Sequence, residues 1–130
     1  MIKKKILNAD RIRHIDGGFS FIPHRFLCGG FLAALQQKEL LLYLFLVIAS
    51  DRHGLSFYGY DAICRLLQLD LDQYISARNA LIDKDLIAFD GTVFQVLELP
   101  ARPISSSSGP KHASDPVTIA QLANQSFKRI

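Results

Sequence analysis

With 130 residues, a formal charge of +3, 49% apolar and 21% charged residues, the chain has the make-up of one folded globular domain and is too short for two. This balance excludes an intrinsically disordered chain. The most apolar run, LLLYLFLVIA over residues 40–49, is ten residues long where a bilayer span needs about 20, so no membrane partner is expected. Charge is unevenly placed: residues 1–56 carry eight Lys/Arg against four Asp/Glu, residues 57–100 three against seven, and residues 101–130 four against one.

Residues 1–18 read as a basic N-terminal arm. Lys3-Lys4-Lys5 make a positive start, but Asn8, Asp10, Arg11 and Arg13 break the apolar stretch a secretory leader would need, which points to a cytoplasmic protein. Gly17-Gly18 end the arm, and a domain is expected over 19–100. Phe19 to Ile22 alternates like a short strand, and Pro23 can open a short helix through Leu27 or Cys28. Gly29-Gly30 interrupt before another helical turn, Phe31 to Leu35. Cys28 and Cys64 lack CxxC spacing and sit in apolar surroundings, so both read as reduced core cysteines.

Gln37 to Ser50 predicts the surest helix, rich in helix formers and free of Gly and Pro. It is apolar on nearly every side from Leu40 to Ala49, so it should be the central helix, covered almost all round. Asp51-Arg52-His53-Gly54 ends it, and Leu55-Ser56-Phe57 can form a strand. Asp61 to Leu67 predicts a helix with Ile63, Cys64, Leu66 and Leu67 able to face inward. After a Gln68-Leu69 turn, Asp70 and Gln73 have capping-box spacing for a helix running to about Lys84, with Tyr74, Ala77 and Leu81 on its inner side. The period then changes from 3.6 to 2. Leu86 to Phe89 is a strand, Asp90-Gly91 a two-residue hairpin signal, and Thr92 to Leu99 a second strand. Residues 101–114 are expected to be a Ser/Pro linker, and 115–130 predict a short C-terminal helix capped at Asp115.

Long helix, short strand, helix, tight turn, helix and hairpin is the winged helix-turn-helix order. The phrase Ala80-Leu81-Ile82-Asp83-Lys84-Asp85-Leu86-Ile87 resembles the end of the recognition helix and the first wing strand in that superfamily, where L-x-x-x-G-L-I is common. Asp85 stands where Gly or Asn is usual, and it tolerates the left-handed backbone needed there. The resemblance covers about residues 36–99. It implies an α+β, mainly helical fold: a winged helix-turn-helix with a C-terminal two-stranded wing. The lead FSFIP and the stretch KELLLYLFLVIASDRHGLSFYGYDAICRLL look most like replication-initiator N-terminal domains and small regulators of plasmids, phages and transposable elements.

On that resemblance the helix Asp72 to Lys84 would read DNA in the major groove through Gln73, Ser76, Arg78 and Asn79. Lys3, Lys4, Lys5, Arg11, Arg13, Lys84, Lys128 and Arg129 would contact phosphates. Asp70, Asp72, Asp83, Asp85 and Asp90 surround this surface and repel phosphate, which leaves two outcomes open. Either the basic ends grip DNA while the helix reads bases, or the domain is an adaptor whose acidic face docks a basic protein. A homodimer is expected in the first case, because a small domain does not readily cover the apolar girth of Leu40 to Ala49.

No catalysis and no cofactor are expected. His14, His24, His53 and His112 lack metal-ligand spacing, the Gly pairs match no phosphate loop, and a Cys28–His24 pair has no orienting third group. Tyr43, Phe45, Phe57, Tyr58, Tyr60, Phe89 and Phe94 could stack on single-stranded bases, but they fall mainly on faces predicted to be buried. Everything rests on residues 56–99 folding as two short helices and a two-stranded flap, with the second helix open to solvent.

Overall fold

The computed structural model describes residues 2–104. The expected C-terminal helix, most of the linker, Lys128 and Arg129 lie outside the described residues. The elements are α1 (Arg25–Cys28), α2 (Gln37–Ala49), β1 (Leu55–Ser56), α3 (Tyr60–Leu67), α4 (Leu71–Asp83), β2 (Ile87–Phe89) and β3 (Phe94–Val96), with single 3-10 turns at Ala9–Arg11 and Leu32–Ala34. Over the described residues the fold is α+β and mainly helical, with four helices and one small antiparallel sheet in the order β1-β3-β2.

Local chemistry sets the helix limits. At α2, Glu39 folds back so that Oε1 accepts from the Gln36 backbone N–H at 3.1 Å. The helix ends at Ser50, and the Asp51 carboxylate then accepts from the His53 and Leu55 N–H groups at 2.8 and 3.1 Å. Those two backbone donors hold the Asp51 carboxyl below the usual aspartate range. Gly54 is required here: its φ is +83°, and a Cβ would sit 2.6 Å from the Val96 carbonyl oxygen.

The Asp70–Gln73 capping box forms as its spacing predicts, with the Gln73 N–H donating to Asp70 Oδ1 at 2.7 Å and the Asp70 N–H to Gln73 Oε1 at 2.9 Å. At the other end Asp85 takes φ +62°. The Asp85 N–H donates to the Ile82 carbonyl and the Leu86 N–H to the Leu81 carbonyl, at 2.9 and 3.0 Å. This pair of bonds is a Schellman closure with aspartate in the position glycine usually holds.

The sheet is short but strictly paired. β3 lies between its neighbours, with Ser56 opposite Phe94 on one side and Phe89 opposite Phe94 on the other. That register shifts the hairpin turn by one residue from the Asp90-Gly91 prediction: Asp90 and Val93 close the ladder, and Gly91-Thr92 make the bend. The cause is the Asp90 side chain, which accepts from both the Thr92 and Val93 N–H groups at 2.8 Å and so belongs to the turn's support.

The core is built from α2, α3, α4 and the sheet. Leu42, Leu46, Ile63, Leu81, Leu86, Ile87 and Phe94 are fully enclosed, and Tyr74 and Ala77 join Leu81 on the predicted inner side of α4. α1 closes one end. Phe26 stacks on Tyr43 with ring centroids 5.0 Å apart, and the Arg25 guanidinium donates to the Leu99 and Pro100 carbonyls at 2.9 and 2.8 Å.

Four expectations need correction. Phe19 to Ile22 forms no strand and pairs with none of the three strands of the sheet. Cys28 is exposed, since the single turn of α1 spends its buried position on Phe26. Leu66 points to solvent while Ile63 takes the core position of α3. Finally, α2 is not covered all round: Leu41, Leu44 and Ile48, at helical spacing, remain an exposed apolar stripe, with Ile48 74% accessible.

Candidate nucleic-acid interface and aromatic groove

Helix α4 has its inner face in the core, so its outer face is fixed by default. Gln73, Ser76 and Asn79 lie exposed along it. Gln73 is already committed to the cap through Oε1, which leaves its amide nitrogen as the outward donor.

Arg78 is held differently from the other three. It is half-buried, and its guanidinium carbon lies 5.5 Å from the Tyr74 ring centroid and 5.3 Å from that of Phe89. It therefore bridges α4 to the hairpin as a planar cation between two rings. Nε and Nη2 donate to Asn79 Oδ1 at 3.3 and 3.2 Å, so two of the candidate base readers are paired with each other. Phe89 stacks in turn on Phe94 with centroids 4.2 Å apart, fixing the flap against the core. Burial pushes the Tyr74 phenol above its ordinary value, with the neighbouring Arg78 pulling it back in part.

The structure overturns one assigned role. Lys84 is only 7% exposed and presents no ammonium to solvent. Its Nζ donates to Glu39 Oε1 at 2.7 Å and to the Ala34 carbonyl at 2.8 Å, locking the end of α4 to the start of α2. A cation in that position cannot reach a phosphate. The basic residues of the arm are different: Lys3, Lys4, Lys5, Arg11 and Arg13 are all exposed.

The residues that sequence reasoning missed lie beside α4. Phe57, Tyr58 and Tyr60, expected in the core with the other aromatics, are exposed, Phe57 at 70% and Tyr60 at 57%. Of the remaining four, Tyr43 and Phe94 are buried, and Phe45 and Phe89 are half-buried. The β1–α3 link, the first turns of α4 and the hairpin tip enclose an open groove of about 710 Å³, which Phe57, Tyr58, Tyr60, Leu71, Arg78 and Thr92 help to line. Tyr58 is braced edge-on against Phe45 of α2, with centroids 5.0 Å apart and planes at 81°.

Three carboxylates neighbour this groove in the chain. Asp61 follows the lining residue Tyr60, Asp72 follows Leu71, and Asp90 lies between Phe89 and Gly91. All three are exposed. The two turn N–H groups hold the Asp90 carboxyl below its ordinary range, so it is an anion throughout the neutral region. Near the same rim, the half-buried Cys64 thiol is pushed up by burial and then by the charges of Asp70 and Asp61.

The arrangement offers recognition chemistry: aromatic faces, one planar cation, amides and an anionic border. Among the described residues no His, Cys, Asp or Glu group of three or more is gathered as a metal site, and no helix is long and apolar enough to cross a membrane. No protein-family model matches the chain, and comparison with curated proteins and with solved structures gives no significant similarity.

Proposed function

We propose that this chain is a winged helix-turn-helix domain that binds nucleic acid, double-stranded DNA first, and acts without catalysis as a regulator or as an accessory of replication or mobile-element maintenance. The observation that carries the reading is the placement of α4. Its outer residues Gln73, Ser76 and Asn79 are exposed beside the β2–β3 hairpin, with Arg78 at the junction of helix and hairpin. An amide-bearing helix of this kind suits the major groove, where side-chain amides pair with adenine and guanidinium with guanine. The exposed lysines and arginines of residues 3–13 supply the phosphate contacts that the acidic surroundings of α4 do not.

Salt titration against random duplex DNA tests this. Binding whose logarithm falls steeply with log salt is expected, and replacing Lys3, Lys4 and Lys5 by Ala should weaken it uniformly across sequences. Arg78→Ala should cost about 1–3 kcal/mol on a selected sequence and relax preference there. Absence of binding at about 50 mM salt would refute the proposal.

A second reading has its own observation. The exposed aromatics of the groove and the neighbouring Asp61, Asp72 and Asp90 favour a protein segment that is apolar and basic. The domain would then be an adaptor.

A further inference from the structure

The chain itself contains a segment of the chemistry that the groove calls for. Residues 2–16 interleave apolar and basic side chains, Ile2, Lys3, Lys4, Lys5, Ile6 and Leu7 and then Arg11, Ile12, Arg13 and Ile15. In the structure all five apolar side chains are exposed, Ile2 and Leu7 at 90% and Ile12 at 55%. Exposing so many large apolar side chains on a short segment is costly unless a partner surface receives them. The arm carries five Lys/Arg against Asp10 and Asp16, while Asp61, Asp72 and Asp90 are exposed next in the chain to residues that line the groove. The apolar side chains of the arm thus match the aromatic lining in character, and the charges of the two are opposite.

We propose that the arm of one chain seats in the aromatic groove of a second copy, its isoleucines and leucine against Phe57, Tyr58 and Tyr60 and its lysines against the acidic border. This rests on the adaptor reading of the groove and not on DNA binding. A second copy is the favoured source because of where the arm is rooted. It leads into α1, whose Phe26 is stacked on Tyr43 of α2, whereas Tyr58 of the groove is braced on Phe45. Two residues apart on a helix, Tyr43 and Phe45 point about 160° from each other, so root and groove lie on different sides of α2. At the arm's base Gly17 has φ +85°, and a Cβ at either Gly17 or Gly18 would meet nothing within 4 Å, which leaves the arm room to swing outward. Reciprocal exchange of this kind closes a two-fold dimer without further contacts.

Sedimentation equilibrium of the full chain from about 1 to 100 µM, without nucleic acid, tests the inference. A monomer–dimer equilibrium is expected, weakened about tenfold between low and high salt because the charges at the groove's edge are exposed. Replacing Lys3, Lys4 and Lys5 by Glu should give a monomer, and so should Asp61→Lys with Asp72→Lys. An equimolar mixture of the two variants should recover association, because reversed arms meet reversed borders. The arm variant changes no core residue, so its fold is not at issue, and circular dichroism checks the other. A wild-type monomer throughout the range overturns the proposal, as does a dimer indifferent to both reversals, which would place the contact on the Leu41, Leu44 and Ile48 stripe. Loss of association in the variants without recovery in the mixture overturns it as well. None of these outcomes depends on whether the protein binds DNA.

Discussion

Replacing Lys84 with Met removes one charge from a buried pair and keeps most of the aliphatic stem. Glu39 is left ionised at about 5% exposure, and the Ala34 carbonyl loses its donor. Breaking a buried pair on one side costs about 3–5 kcal/mol, because the remaining charge has lost both water and partner. Glu39 Oε1 still accepts from the Gln36 N–H, which places the expected loss at the lower end, about 3 kcal/mol. For a domain of roughly this size that is on the order of 15 °C in Tm. Urea denaturation of wild type, Lys84→Met, Glu39→Gln and the double variant measures it. The double variant should lose clearly less than the sum of the singles, since each single leaves one orphan and the double leaves none charged. A Lys84→Met variant within 1 kcal/mol of wild type would refute the assignment of this pair as a lock between α2 and α4.

Other expectations are narrower. Asp85→Gly should stabilise by about 0.5–1 kcal/mol in thermal or urea unfolding, because the left-handed backbone at φ +62° strains any residue with a Cβ and only part of that gain is lost to glycine's freedom when unfolded. Both Asp51 and Asp90 have their folded pKa held down by backbone donors, so their contribution is complete above the ordinary aspartate value near 3.9 and is lost as pH falls through the lower folded values. The Tm of wild type should therefore drop more steeply below pH 4 than that of the Asp51→Asn, Asp90→Asn double variant; parallel acid limbs would count against it. At pH 8 a thiol-specific chromogen should react quickly with exposed Cys28 and slowly with Cys64, whose thiolate is disfavoured by burial and by Asp70 and Asp61. Cys64→Ser should abolish the slow phase alone.

What could be read in advance was whatever is written locally. The span of α4, its cap at Asp70 and its inner face Tyr74, Ala77 and Leu81 follow from neighbours three and four residues apart, and all three are seen. The same holds for the left-handed Asp85. Residues whose fate depends on distant partners were not legible. Lys84 looks like any helix-terminal cation, and Glu39 stands 45 positions earlier. Phe57 and Tyr58 lie in the link between β1 and α3 and Tyr60 only opens α3, so no periodicity placed them, and hydrophobicity alone sent them to a core in which they are not found. The turn register failed for a finer reason: Asp-Gly has the composition of a two-residue turn, but the carboxylate of Asp90 is worth more to the chain one position outside it.

The grip of Arg25 on the Leu99 and Pro100 carbonyls has a mechanical side. It ties the first helix of the domain to the strand of chain that leaves the flap, and Pro103 passes within 3.5 Å of the Cβ position of Gly30 just beyond it. Entry and exit of the folded body are thus fastened at one seam. A load or a fused partner attached at either end would pull on that seam first, leaving the outer face of α4 undisturbed until the guanidinium lets go.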